Sequence, residues 1–153
     1  MRTTLISLLF LALSSFNSYS MDRSRMKIVQ TMIDSAKTQA DLNIASKMLF
    51  DIWQEELNRK ETEVARMLPK AQSKRFKRSM KDWRKHVEEM SNIRAELFKQ
   101  DFMEPNYYKI RGIESKVSAL KRAKNMHPYI YNMSRSIYYE EKWIELDVLA
   151  NTK

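Results

Sequence analysis

Apolar residues recur at helical spacing along two long, adjacent segments of the chain. In residues 41–68 they follow steps of three, four or seven: Leu42, Ala45, Leu49, Trp53, Leu57, Val64 and Leu68. In residues 70–100 the same spacing holds for Phe76, Met80, Trp83, Val87, Met90, Ile93 and Leu97. Each set marks one face of an amphipathic helix. Thr38 and Asp41 have the spacing of a capping box at the start of the first helix.

Pro69 lies between the two segments, where it ends the first helix and suits the first turn of the second. So short a connection predicts an antiparallel helical hairpin. The two apolar stripes then face each other, with Trp53 and Trp83 at the seam.

The rest of the chain contains weaker helical signals. Residues 21–37 predict a short amphipathic helix, residues 101–108 a loop, and residues after Gly112 another short helix. The last helix is expected from Pro128 to about Leu149. The chain has one Gly and three Pro in 153 residues, so it contains few of the residues that β turns require. We therefore predict an all-α fold: a long antiparallel helical hairpin with a C-terminal helix packed across it, in one domain over residues 21–153.

Residues 1–20 have the pattern of a cleavable export signal. Arg2 is followed by an apolar run from Leu5 to Leu13, and Ser18 and Ser20 place small residues before a cut at Met21. We expect a periplasmic or secreted protein. The chain has no cysteine, so this segment predicts no lipid anchor and the body relies on packing without disulfides.

Positive charge is concentrated in one stretch. The net charge of +9 falls to +8 when Arg2 leaves with the signal. Residues 70–85 hold one acid, Asp82, and eight bases: Lys70, Lys74, Arg75, Lys77, Arg78, Lys81, Arg84 and Lys85. Two interpretations stay open, a solvated helix face and a docking patch for phosphate-bearing polymers, anionic lipid or an acidic protein. A second basic cluster is Lys109, Arg111, Lys116, Lys121, Arg122 and Lys124.

The sequence contains no residue pattern typical of a catalytic site. His86 and His127 have no metal-ligand spacing, and one glycine cannot build a phosphate loop. Adjacent glutamates such as Glu140 and Glu141 point in different directions on a helix. We expect no enzyme activity, no metal and no cofactor. Late aromatic residues, among them Tyr129, Tyr138 and Trp143, are candidates for a binding interface where they face solvent.

Three stretches together resemble the LprI-type, lysozyme-inhibitor-like domain of exported bacterial proteins. They are Thr38-Gln-Ala-Asp-Leu-Asn43 with Glu56-Leu57-Asn58, then Trp83 in the returning helix, then Pro128-Tyr-Ile-Tyr131. The resemblance covers about residues 38–147. Its motif positions are Asn43, Leu57, Asn58, Trp83 and Tyr131. Where the family usually carries cysteines, this chain has Ile44, Ser91 and Ser134.

The resemblance implies a protein-binding role, so we expect an exported protein-protein interaction or inhibitor module of the bacterial envelope or secretome. The alternative is a charge-driven binder of anionic lipid, lipopolysaccharide or nucleic acid, with nucleic acid the least favoured partner. Lysozyme inhibition in the strict sense is disfavoured, because a +8 protein repels the many lysozymes that are strongly basic.

Overall fold

The computed structural model describes residues 23–103 and 116–151, with side chains described over 24–100 and 121–151. These residues form four helices and no strand: α1 Arg23–Ser35, α2 Gln39–Met67, α3 Lys70–Met103 and α4 Lys116–Asn151. The all-α prediction is confirmed. The predicted export signal lies outside the described residues, as does the predicted loop beyond Met103.

Contacts between neighbouring residues determine where α2 begins and ends and where α3 begins. The Thr38 hydroxyl accepts a hydrogen bond from the Asp41 N–H at 3.1 Å, and the Asp41 carboxylate accepts one from the Thr38 N–H at 2.9 Å. The capping box is confirmed. Leu68 is extended and the Pro69 carbonyl accepts from the Ser73 N–H at 2.8 Å. Helix α3 therefore starts immediately after α2 ends.

Helix α4 runs parallel to α2 and antiparallel to α3. Asn43 and Lys60 of α2 contact Asn125 and Asp147 of α4, so the two helices advance in the same direction. On the other side, Glu88 and Glu96 of α3 contact Arg135 and His127 of α4, in reverse order. Helix α1 packs on α2, with Arg25 and Glu55 2.6 Å apart.

The predicted seam between α2 and α3 is wrong in one respect, because both apolar faces pack mainly on α4. Trp53 meets Trp143 with ring centroids 6.4 Å apart, and Trp83 meets Tyr139 at 5.1 Å. A third helix with large aromatic side chains fills the groove of the hairpin and buries more apolar surface than direct contact of two stripes. Helix α4 thus packs on both helices of the hairpin.

Two boundary predictions on α4 are also corrected. The short helix after Gly112 and the helix from Pro128 are parts of one helix, and Pro128 lies inside it. Proline normally interrupts a helix because it lacks the N–H and crowds the preceding turn. Here Ala123, before the proline, is fully buried. The part of α4 before the proline therefore packs on the bundle, where Asn43 also donates a hydrogen bond to the Asn125 carbonyl.

The buried face of α3 shifts around the helix axis between its first and second halves. Ile93 and Leu97, predicted on the stripe, are 49% and 52% exposed, whereas Ser91 and Ala95 are fully buried. The buried positions follow steps of four from Val87, and small side chains at two of them permit close approach to α4. The spacing of the large apolar residues alone does not predict this register.

Candidate functional site

The predicted basic patch occupies the first half of α3, on the side opposite the core. Phe76, Met80 and Trp83 are at least partly buried against the core. At about 100° per residue, six exposed cations fall within an arc of roughly 100° on the other side. They are Lys70, Lys74, Lys77, Arg78, Lys81 and Lys85, and together they form what we call the basic stripe. Lys85 lies fifteen residues after Lys70, and at about 1.5 Å of rise per residue the stripe is about 22 Å long.

The other two residues of the predicted basic patch, Arg75 and Arg84, do not belong to the stripe. Arg75 is exposed but lies about 60° to its side. Arg84 is only partly exposed: it forms an ion pair with Glu61 and donates a hydrogen bond to Asn58 at 2.8 Å. The guanidinium of Arg84 therefore joins α3 to α2, and we leave it out of the stripe.

Few carboxylates lie near the cations of the basic stripe. Within the described part of the chain, no carboxylate lies within 4.0 Å of the first five cations of the stripe, and Lys85 reaches Glu89 only at 4.0 Å. Asp82, the one acid in residues 70–85, is exposed and lies outside the arc. A counter-charge for this surface must come from solvent ions or from a ligand.

Fold stability does not explain the stripe. It begins at the N-terminal end of α3, where the helix dipole disfavours cations, and the first turn holds no acid. Its members also stand three or four residues apart, as in Lys70 and Lys74 or Lys81 and Lys85. Like charges at this spacing destabilise a helix by about 0.2–0.5 kcal/mol per pair.

Residues at the family-motif positions make internal contacts. Asn43 donates a hydrogen bond to the Asn125 carbonyl at 3.1 Å. Leu57 is fully buried, and Trp83 packs on Tyr139. Asn58 accepts from Arg84, and the Tyr131 hydroxyl donates to Glu88. These five residues connect helices to each other and form no common exposed site.

The three positions at which the resemblance predicts cysteines are spread over the bundle. Ser91 of α3 and Ser134 of α4 are buried, and Ser134 accepts a hydrogen bond from Arg94 at 3.4 Å. Ile44 is 56% exposed. The contact between α3 and α4 at this level is therefore made by small side chains and a long arginine.

Sequence reasoning missed a buried ion pair. Lys60 and Asp147 are 7% and 5% exposed, and their charged atoms are 2.7 Å apart. Burial lowers the pKa of Lys60, but hydrogen bonds and attraction from Asp147 and Glu63 outweigh it, so the net shift is upward. The sequence does contain one sign that Lys60 is buried. Trp53, Leu57 and Lys60 are spaced four and three residues apart, so Lys60 lies on the apolar face of α2.

Glu140, which the sequence places beside Glu141, is a second charged group whose burial the sequence does not predict. It lies on α4 in step with the buried residues Ser136 and Trp143, and it is only partly exposed. Burial, and to a lesser extent the charge of Glu141, raises the pKa of Glu140 to about 7. At neutral pH this carboxyl is therefore partly protonated.

The described residues contain no cluster of three or more potential metal ligands among His, Asp and Glu. His86 is exposed, and His127 lies 3.3 Å from Glu96 at the seam of α3 and α4. An open groove beside α2 is lined by Arg59, Thr62, Glu63, Arg66 and Met67. The Thr62 hydroxyl donates to the Asn58 carbonyl at 2.9 Å and Glu63 pairs with Lys60, so the groove has no recognisable catalytic arrangement.

None of the helices in residues 23–103 and 116–151 is both long enough and apolar enough to cross a membrane.

Comparisons of the chain with protein-family models, with curated proteins and with solved structures found no match. The resemblance to the LprI-type domain stays a prediction.

Proposed function

We propose that this protein is an exported binding protein that associates with anionic surfaces through the basic stripe. The observation that carries the proposal is the row of six exposed cations on α3, five of which have no carboxylate within 4.0 Å in the described part of the chain. Positive charge concentrated along one helix face raises the local concentration of anionic groups and their rate of encounter.

The composition of the stripe favours charge-driven binding over a specific protein interface. Five of its six members are lysines, and lysine is depleted in protein-protein interfaces relative to the rest of the surface. Aromatic residues, which usually anchor such interfaces, are turned inward. Each aromatic side chain in the described ranges is at least partly buried, including Tyr129, Tyr138 and Trp143.

Association with a protein partner is the second candidate, and a different surface supports it. Ile44 and Met48 on α2, and Ile93 and Leu97 on α3, are exposed apolar pairs four residues apart. Each pair offers an apolar contact to a protein partner, and a protein partner is what the LprI-type resemblance implies. A basic lysozyme is the less favoured target of such a surface because its charge repels this chain.

Charge reversal on the stripe gives the first prediction. The triple substitution Lys74→Glu, Lys77→Glu and Lys81→Glu is expected to weaken binding to inorganic polyphosphate at least about 100-fold at low salt, because attraction becomes repulsion. Equilibrium titration of the full-length chain measures this loss.

The matched control is Lys27→Glu, Lys37→Glu and Arg66→Glu, which changes the net charge equally at exposed positions on α1, α2 and the segment between them. We expect the control variant to lose less than about tenfold. Equal loss in both variants would mean that net charge, and not the stripe, determines binding. Retention of affinity by the stripe variant would exclude the stripe as the binding surface.

A further inference from the structure

We infer that the anionic surface is the headgroup layer of a phospholipid bilayer, on which α3 lies flat without inserting. This inference rests on the proposed function and adds the partner and the orientation. Its basis is the shape of the basic stripe and the position of the apolar side chains of the same helix.

The stripe matches a planar partner. Its six cations lie within about 100° of arc on the outward side of one continuous helix, so a flat surface can contact all of them at once along about 22 Å. A deep or strongly curved binding partner would require charges on more than one helix face. Outside the arc, Arg84 is paired with Glu61, and the exposed charges of Arg75 and Asp82 are opposite in sign, so the net positive charge of this segment lies on the stripe.

The chemistry of the stripe also fits phosphate headgroups. Lysine presents a mobile point charge on a flexible stem and does not impose the planar, two-pronged geometry that arginine gives to specific recognition. Each cation near an anionic leaflet contributes about a fivefold gain in partitioning. Recognition of single-stranded nucleic acid relies on exposed aromatic side chains for base stacking, and every aromatic in the described part of the chain is at least partly buried.

Insertion is opposed by the bundle itself. A helix that enters a bilayer interface turns an apolar face toward the lipid. In α3 that face consists of Phe76, Met80 and Val87, which pack into the core shared with α2 and α4. Exposing them to lipid would require the bundle to open. We therefore expect adsorption that is reversible and sensitive to salt.

The test is co-sedimentation of the full-length chain with vesicles of phosphatidylcholine alone or with about 30% phosphatidylglycerol. We expect the phosphatidylglycerol-dependent binding to fall about 100-fold in the variant with glutamate at positions 74, 77 and 81. It should change little in the control variant at positions 27, 37 and 66. Any contribution of the apolar residues 1–20 is common to all three proteins and cancels in the comparison.

Tryptophan fluorescence tests the orientation. Trp53 and Trp143 are buried, and Trp83 packs on Tyr139. If α3 adsorbs without insertion, their emission maximum and their quenching by iodide stay unchanged on binding. A large change in either signal would overturn the inference that the bundle stays closed.

The remaining outcomes separate the two proposals. Binding to polyphosphate without phosphatidylglycerol-dependent binding to vesicles would contradict the membrane inference and leave the proposed function standing. Absence of binding to both would contradict both. Equal losses in the stripe variant and the control variant would exclude the stripe as the contact surface.

Discussion

Replacement of Lys60 by methionine is expected to lower the free energy of unfolding by about 3–5 kcal/mol. The substitution leaves the Asp147 carboxylate buried with its partner removed, and the cost of an uncompensated buried charge is large. It also removes the ammonium group that stands 5.5 Å from the Trp143 ring centre. Urea denaturation followed by circular dichroism measures the loss.

A double variant separates the value of the pair from the cost of breaking it. Lys60→Met combined with Asp147→Leu removes both charges and keeps apolar volume between α2 and α4. We expect it to recover most of the stability that the single variant loses, since apolar replacement of a buried pair is often neutral or stabilising. A loss below about 1 kcal/mol in the single variant would show that water reaches Asp147.

Glu140 is expected to make the protein less stable as the pH rises from about 5 to 8. The pKa of Glu140 is about 7 in the folded chain, against 4.5 as the reference value. Between these values the folded state holds a proton that the unfolded state has released, so stability falls with rising pH. The shift corresponds to a loss on the order of 3 kcal/mol, complete above the folded pKa.

Substitution of the carboxyl by an amide tests this assignment. Glu140→Gln should flatten the dependence of unfolding free energy on pH over this window and stabilise the protein at pH 8. Glu141→Gln is the control, and it should keep most of the slope because burial is the larger cause of the shift. The carboxylates of Glu55 and Glu63, whose pKa values are lowered by Arg25 and Lys60, lose their contribution only at more acidic pH. A slope in Glu140→Gln equal to that of the unmodified chain would contradict the assignment.

Local signals in the sequence predict the helices better than they predict the contacts between helices. The capping pair of Thr38 and Asp41 and the position of Pro69 depend on neighbouring residues, and the structure has both as expected. The partner of each apolar face depends on the whole fold. Periodicity identified the faces that contain Trp53 and Trp83, but it could not indicate that α4 would lie between them.

The same limit applies to Pro128, Ile93 and Leu97. Pro128 is a strong local signal for a helix start, yet the helix continues through it and Ala123, on its N-terminal side, is buried in the bundle. Ile93 and Leu97 are apolar and regularly spaced, yet Ser91 and Ala95 permit closer packing and take the buried positions. Tertiary packing decided these cases.

The basic stripe, in contrast, could be outlined from sequence because charge density along one helix is a local property. What required the structure was the distinction among its members. Arg84 pairs with Glu61 across the hairpin, while Lys74, Lys77 and Lys81 have no carboxylate within 4.0 Å among the described residues. Sequence spacing alone does not reveal that contact, since Arg84 and Glu61 are 23 residues apart.

The most direct test of the central claim is the salt dependence of polyphosphate binding by the unmodified chain and by a neutralised stripe. The neutralised variant is Lys74→Gln, Lys77→Gln and Lys81→Gln. Each lysine that contacts a phosphate releases counterions and contributes roughly 0.7–0.9 to the slope of log affinity against log salt concentration. We predict that the slope decreases by about 2 to 3 in the variant. An unchanged slope would contradict the claim that the basic stripe is the surface that binds anions.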